Sequence, residues 1–382
     1  MYVCGEHARM GTSESATQTG EGMSLPDVDV RVRPALAGFE PYDPAFSPCK
    51  VNLSANENTH ALPRAVREGI AAALVRTPLN RYPDPLANEL RDELAAWHGV
   101  ARENVMVGNG GDEVLFNLLF AFGGQGRRLV VAPPCFEEYK NFAKMCETEV
   151  VEVWRDEQSF ALDEDALVRA ASDAALVMLT SPNNPTGDLV DPALVRRLLD
   201  ETDALVMLDE AYIEFADASA SLVTWIRENP RLMILRTLSK AFALAGLRCG
   251  YLIADRSVVD VLAAIRQIYS EDVLAQAVAT EAVRSRAELA PVVAEIVAER
   301  GRLVEEFDRL PGVTQWPSSA NFILVRLPHA AEVRARLRDE FSVLVRDFSY
   351  APGLSDCMRI TVGTREENDK LLRALHRILE GE

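Results

Sequence analysis

The sequence predicts an α/β protein, a mostly parallel sheet covered by helices on both faces and followed by a smaller α+β layer. Two observations carry this. From about residue 104 to residue 253, short β-branched apolar runs alternate with helical stretches, and strands apolar along their whole length belong to parallel sheets buried between helices. Beyond Leu274 the alternation stops, and a long region rich in Ala, Glu, Arg and Val precedes further strand-like segments.

Taken in order, residues 1–30 are rich in Gly, Ser, Thr and Glu and lack the basic start and apolar run of a signal peptide, so they read as a mobile arm. Residues 31–60 read as extended and irregular, broken by Pro34, Pro41, Pro44 and Pro48. Leu62–Val75 reads as an amphipathic helix opening near Pro63. A loop marked by Pro78, Pro83 and Pro85 leads to a second helix, Asn88–His98. The strands expected next are Val105–Val107, Leu129–Ala132, Val150–Val153, Leu176–Leu179, Leu205–Leu208, Met233–Arg236 and Gly250–Ile253, with Val114–Phe122 helical. One long helical region is expected from beyond Leu274 to about Arg309. Strands at Val313–Trp316, Phe322–Arg326 and Met358–Val362 and a closing helix over Glu366–Leu379 complete the reading. The implied organisation is an arm over 1–30, a segment 31–75 joining the small domain, a large domain over 76–274 and a small α+β domain over 275–382.

A chain of 382 residues with nearly half of them hydrophobic can bury a sizeable core, in two domains or in one large domain with an appendage. Its net charge of −18 makes nucleic acid and anionic membranes poor partners. An anionic substrate would need a local arginine cluster. Six cysteines without CxxC pairs argue against zinc and a disulfide framework and fit a reducing cytoplasm. Five histidines without HxH or HExxH spacing predict no metal site. No apolar stretch reaches membrane-spanning length.

Four motifs follow predicted strands, where open α/β sheets place their ligands. Gly108-Asn-Gly-Gly-Asp-Glu113 precedes a helix, so its backbone amides and the helix dipole suit a phosphate, although a glycine turn alone is equally a structural device. In Ser181-Pro-Asn-Asn-Pro-Thr-Gly187 the prolines fix a loop, and Asn184 can donate its amide to a ring oxygen. In Leu208-Asp-Glu-Ala-Tyr212, Asp209 is either a helix N-cap or an ionised partner for a protonated pyridine nitrogen, with Tyr212 in reach of the ring's phenolic oxygen. In Thr237-Leu-Ser-Lys240, one lysine stands among hydroxyl and small residues, with Arg248 following. A lysine that attacks a carbonyl must be partly desolvated, and an arginine with Thr237 and Ser239 can hold a phosphate dianion. Lysine plus phosphate cup is what a pyridoxal phosphate enzyme needs.

On these motifs the chain resembles the fold-type I pyridoxal phosphate aminotransferases, and within them the histidinol-phosphate aminotransferase family. Leu53-Ser-Ala-Asn-Glu-Asn58, Asn80-Arg-Tyr-Pro-Asp84 and Arg359-Ile-Thr-Val-Gly-Thr364 point to the narrower family. The resemblance runs from about Tyr42 to Leu379. It implies that Lys240 carries pyridoxal 5'-phosphate covalently and shuttles the substrate's α-proton. It further implies that Asp209 pairs with the ring nitrogen, that Asn184 and Tyr212 bind the phenolic oxygen and that Phe136 stacks on the ring. The backbone at Gly111 and Asp112, with Thr237, Ser239 and Arg248, would hold the phosphate, and Tyr82 would reach across a homodimer interface into the partner's site. Tyr42, Arg346 and Arg359 match positions that hold the substrate's anionic end, with Asn56 and Asn321 lining the same pocket.

Planar guanidinium forks suit phosphate and carboxylate alike, so two arginines would let one site accept histidinol phosphate and glutamate in turn. The chain departs from the family at Ile268-Tyr-Ser-Glu-Asp272, where Tyr269 is kept but two acidic residues enter a loop that lies beside the substrate. Carboxylates there disfavour a phosphate unless they point away. The expected protein is thus a cytoplasmic, homodimeric histidinol-phosphate transaminase. The rivals are an aromatic amino acid aminotransferase and a decarboxylating lyase of the same fold.

Overall fold

The computed structural model describes residues 32–36, 39 and 47–380. The chain divides into two compact units, Met1–Pro41 and Tyr42–Glu382. The described part of the first contains a 3-10 turn, Pro34–Leu36. The N-terminal arm and Tyr42 lie outside the described residues.

The elements of the second unit run β1 (Val51–Leu53), α1 (Arg64–Arg76), α2 (Asn88–His98), β2 (Val105–Asn109), α3 (Gly110–Phe122), β3 (Arg128–Val131), α4 (Glu138–Met145) and β4 (Glu149–Glu152). They continue with α5 (Glu164–Ala171), β5 (Leu176–Thr180), α6 (Pro192–Glu201), β6 (Leu205–Asp209), β7 (Leu232–Thr237), β8 (Cys249–Ile253), α7 (Arg256–Ile265) and α8 (Val273–Arg284). The last are α9 (Ala290–Phe307), β9 (Thr314–Gln315), β10 (Phe322–Arg326), α10 (Ala330–Phe341), β11 (Val343–Asp347), β12 (Cys357–Thr361) and α11 (Arg365–Glu380).

Seven strands form the large sheet in the order β2-β8-β7-β6-β5-β3-β4. The pairs from β4 through β7 are parallel, while β8 is antiparallel to both of its neighbours. Every residue of β5, β7 and β8 is buried. Alternate side chains enter different cores: Val177, Val206 and Ile234 pack on one face, and Met178, Met207 and Met233 on the other. Two-sided burial is why these strands read as unbroken apolar runs rather than as an alternation. The carboxyl ends of β5, β6 and β7 stand side by side, with Thr180 in register with Asp209.

The smaller sheet has the order β1-β11-β12-β10-β9. Its β1 pairs in parallel with β11, so a strand that precedes the large sheet in sequence is used by the sheet that follows it. The long helical region expected beyond Leu274 is broken. A 3-10 turn, Arg286–Leu289, separates α8 from α9, and Pro291 sits in the first turn of α9. Proline lacks the N–H needed to continue a helix but is well suited to the start of one. The irregular reading of 31–60 also missed β1, a three-residue strand.

Gly250 on β8 marks the tightest packing near the site. A Cβ there would lie 2.5 Å from the backbone nitrogen of Gly111 and 2.6 Å from the carbonyl carbon of Gly110. The start of α3 can therefore seat against β8 only because residue 250 has no side chain.

In the Ile268–Asp272 loop the two acidic side chains turn into the protein's own structure. Asp272 caps α8, accepting from the backbone N–H groups of Leu274 and Ala275, each at 2.8 Å. Glu271 is buried beside the Cys249 thiol, and its Oε1 has no hydrogen-bond partner. Burial is the main cause that pushes its carboxyl up to about 8, with Glu113 and Asp272 adding to it and the Cys249 thiol and Arg266 opposing.

Two outcomes follow from this packing. Gly250→Ala should destabilise the protein by about 1–3 kcal/mol or more, through overpacking against rigid backbone. A urea unfolding curve for this variant that overlays the wild type would contradict the close approach. Glu271 keeps its proton in the folded state at pH values where the unfolded chain has released it. Stability therefore falls as pH rises from the ordinary glutamate value of 4.5 towards about 8. Glu271→Gln removes that titration, so its stability advantage over wild type should widen between pH 5 and pH 8, by up to about 1.4 kcal/mol per unit. Urea melts at four pH values check this, and a difference that stays flat with pH rules it out.

Candidate active site

The ends of β5, β6 and β7 and the start of α3 enclose a cavity of about 390 Å³. Gly111, Asp112, Phe136, Thr180, Asn184, Asp209, Tyr212, Thr237, Ser239, Lys240 and Arg248 all line it. Five separate stretches of sequence therefore converge because each lies at or after the end of a strand of one sheet.

Lys240 projects its amine into this space, donating to the carbonyl of Ala55 at 3.1 Å, with Nζ 5.7 Å from the centre of the Tyr212 ring. At one end, Arg248 reaches Oδ2 of Asp112 at 3.0 Å and Oγ of Ser239 at 3.5 Å. Thr237 and Ser239 share a hydroxyl contact of 3.0 Å beside it. The thirteen-residue α3 begins at Gly110, next to this cationic end. Hydroxyls, a guanidinium and free helix N–H groups together form an anion cup.

Asp209 stands elsewhere in the cavity and is buried. Its Oδ2 accepts from the Tyr139 hydroxyl at 2.7 Å and its Oδ1 from the backbone N–H of Ala211 at 3.0 Å. Burial raises its carboxyl to about 6, against these two hydrogen bonds, while Asp112 and Glu210 push it further up. At neutral pH the group is an ionised acceptor that lacks a cation on either bond, an arrangement suited to a positively charged ring N–H.

Tyr212 accepts from Nδ2 of Asn56 at 3.1 Å and packs edge-on against Phe322. The carbonyl oxygen of Asn184 accepts from Arg359 at 2.6 Å, which leaves its NH2 group for the cavity. Phe136 offers an aromatic face. A planar heterocycle with a phosphate at one end and a protonated nitrogen elsewhere on the ring fits this donor set.

A second cavity, of about 660 Å³, opens beside the first. The two share Ala55, Phe136, Asn184, Tyr212 and Lys240. Arg346 and Arg359 both line the second one, with Asn56. Arg359 is buried between the rings of Phe322 and Phe348, at 5.4 and 5.5 Å from their centres, and donates to the Ser54 carbonyl at 2.6 Å.

Two expected pocket residues are placed differently. Asn321 lines neither cavity; it is buried one layer back, donating to the carbonyl of Asn56 at 3.1 Å. Tyr269 also lines neither cavity. It stacks on Tyr82 with ring centres 4.7 Å apart, at the surface. Glu271 and Asp272 are absent from both linings, so the acidic residues that depart from the family pattern do not face either cavity of this chain.

Sequence reasoning missed Tyr139, which bonds the Asp209 carboxylate, Thr180, which meets the Tyr139 hydroxyl, and the aromatic wall of Trp154, Phe348 and Tyr350 in the larger cavity. Tyr139 sits in the first turn of α4, three residues after Phe136, which precedes the helix.

The chain matches the family model described as aminotransferase class I and II over residues 48–375. It is 40% identical over 347 residues to histidinol-phosphate aminotransferase 1 of Carboxydothermus hydrogenoformans, covering 90% of this chain and 97% of that protein. It is 35% identical over 349 residues to the histidinol-phosphate aminotransferase of Thermoanaerobacter pseudethanolicus, covering 91% and 98%. Among solved structures, the histidinol-phosphate aminotransferase from Sinorhizobium meliloti in complex with pyridoxal-5'-phosphate aligns with a TM-score of 0.83 at 25% identity, covering 92% of this chain and 98% of that one. With a fold of the fold-type I kind and this match along most of its length, the chain belongs to the class I and II aminotransferase family.

Proposed function

We propose that this protein is a pyridoxal phosphate-dependent histidinol-phosphate transaminase. It interconverts histidinol phosphate and imidazole-acetol phosphate, with 2-oxoglutarate and glutamate as the other pair, in histidine biosynthesis. The observation that carries this reading is the meeting of two cavities at Lys240. One has a buried carboxylate and an anion cup, and the other has two arginines. Relatives of that name at 35% and 40% identity support the substrate.

Bound in the smaller cavity, pyridoxal phosphate supplies an electron sink that lets the hydrogen on the amine-bearing carbon leave as a proton. Lys240 would hold the cofactor covalently, and its amine is placed to move that proton as a general base. Asp209 would hold a proton on the ring nitrogen. Asn184 and Tyr212 would donate to the ring oxygen, and Phe136 would cover one ring face. The backbone N–H groups of Gly111 and Asp112, with Thr237, Ser239 and Arg248, would hold the phosphate.

Arg346 and Arg359 take the substrate's phosphate in one half-reaction and a carboxylate of glutamate in the other. Asn56 holds Tyr212 in place at the junction of the two cavities. Asn321 supports Asn56 from behind.

The working unit in this reading is a homodimer in the cytoplasm. Val75, Leu79, Tyr82 and Ile268 are exposed apolar or aromatic groups, and Tyr82 stacks on Tyr269 among them. A second copy would cover them, and the Tyr82–Tyr269 pair would reach the partner's site. The pairing of β1 with β11 supports assigning the early segment to the small domain. Among the described residues no helix is long and apolar enough to cross a membrane.

Steady-state kinetics with histidinol phosphate and phenylalanine as competing amines test the substrate. A larger kcat/KM for histidinol phosphate is expected; a larger value for phenylalanine replaces it with the aromatic reading. Release of carbon dioxide without formation of a keto product would make the protein a lyase. Arg346→Gln should raise KM for histidinol phosphate roughly tenfold to a hundredfold, the worth of one charge-assisted contact. Its kcat should change far less, and an unchanged KM would remove Arg346 from the substrate site.

A further inference from the structure

We propose that Tyr139, backed by Thr180, is a positioning residue that keeps the Asp209 carboxylate in its ionised, proton-accepting form for the cofactor ring. This deepens the reading above and rests on it.

Three side chains form a buried chain of hydroxyl contacts behind the cavity. Thr180 meets the Tyr139 hydroxyl at 2.8 Å, and Tyr139 meets Oδ2 of Asp209 at 2.7 Å. Tyr139 is fully buried, and Thr180 and Asp209 nearly so. An ionised carboxylate has no hydrogen to give, so Tyr139 donates to Asp209, and Thr180 then donates to Tyr139. Burial, and next the nearby Asp209 charge, hold the Tyr139 phenol well above the ordinary tyrosine value. Tyr139 is therefore a neutral donor throughout the working range of the enzyme.

The groups around Asp209 give this bond its weight. Asp112 from α3 and the adjacent Glu210 are both acidic and disfavour its charge. Lys240 and Arg248 line the same cavity, but Lys240 donates to Ala55 and Arg248 to Asp112 and Ser239. Glu210 is itself matched by Arg236 at 2.7 Å. Support for the Asp209 charge thus comes from one backbone N–H, at Ala211, and one side chain, Tyr139. Hydrogen bonds to the charged form of a carboxylate lower its pKa, and an unpartnered one in an apolar site rises. The placement also couples two functions. Tyr139 packs edge-on against Phe136, the residue that covers the ring, with centres 5.5 Å apart. The short segment from Phe136 into the start of α4 thereby sets both the ring face and the charge opposite the ring nitrogen.

The test compares wild type, Tyr139→Phe and Thr180→Val for equilibrium affinity for pyridoxal phosphate between pH 5 and pH 9, followed by fluorescence. Circular dichroism confirms that each variant is folded. Loss of one charge-assisted hydrogen bond moves a carboxylate by roughly one pH unit. The pH below which affinity falls should rise by about one unit in Tyr139→Phe, giving roughly tenfold weaker binding on the acid side and near wild-type binding above pH 8. Thr180→Val should shift the profile the same way by less, and it carries the test if Tyr139→Phe fails to fold. The acid limb of kcat should move with the binding profile. An unshifted profile, or a uniform loss of affinity at every pH, overturns the inference and leaves the function standing. Failure of wild type to take up pyridoxal phosphate at any pH overturns both.

Discussion

The arrangement of the site follows from one constraint, the burial of the Asp209 carboxylate at the end of an apolar strand. Removing an ionised carboxylate from water is unfavourable by several kcal/mol unless it is paired or well hydrogen-bonded. Here both of its hydrogen bonds come from neutral donors, and the charges that act on it, Asp112 and Glu210, are acidic. A carboxylate kept in this state is unsatisfied in a specific way, since it stabilises a positive group placed against it more than a solvated aspartate can. The rest of the cavity then has a direction. An anion cup belongs at the phosphate end of the ligand, as Arg248, Ser239 and the start of α3 provide. A nucleophilic amine belongs between, as Lys240 provides.

The same logic places charge against the protein's overall field. A chain of net charge −18 repels anionic ligands at long range. Recognition of phosphate must therefore be local, through groups that are partly withdrawn from solvent, where screening is weaker. Arg359 meets this condition, being buried between two aromatic faces. The acidic residues that enter the Ile268–Asp272 loop do not oppose it, because Asp272 is used as a helix cap and Glu271 is buried beside Cys249. A departure from a family pattern that looked like a change of substrate chemistry is, in this chain, a change in how a loop is anchored.

The centre of the large sheet was legible because strands such as β5, β7 and β8 are buried on both faces and carry no polar alternation, which leaves few other conformations for runs such as Leu176–Thr180. The four loop motifs were legible because each follows such a strand. What failed to read was everything decided at a distance. β1 is three residues long and exists because β11 lies beside it nearly three hundred residues later. No local pattern marks Tyr139, whose hydroxyl meets a carboxylate seventy residues on. Asn321 was named for the pocket but serves the backbone of Asn56. The break before α9 was visible in Pro291 and was overridden by the uniform composition around it.

The join between the two cavities has a mechanistic consequence. Arg359 lies on β12 of the smaller sheet, and Asn184 lies in the loop after β5 of the larger one, yet they share a 2.6 Å hydrogen bond. In the proposed reading Asn184 would stand between the ring oxygen and the guanidinium that would receive the substrate's anion. Hydrogen bonds in series polarise one another, so an anion drawing the Arg359 donors towards itself would weaken their bond to the Asn184 carbonyl and, with it, the polarisation of the Asn184 amide. Arg359 also donates to the Ser54 carbonyl next to β1, so the same guanidinium ties the chain's early segment to the loop after β5. On that reading, substrate recognition and cofactor electronics would be two ends of one hydrogen-bonded path rather than separate properties of two pockets.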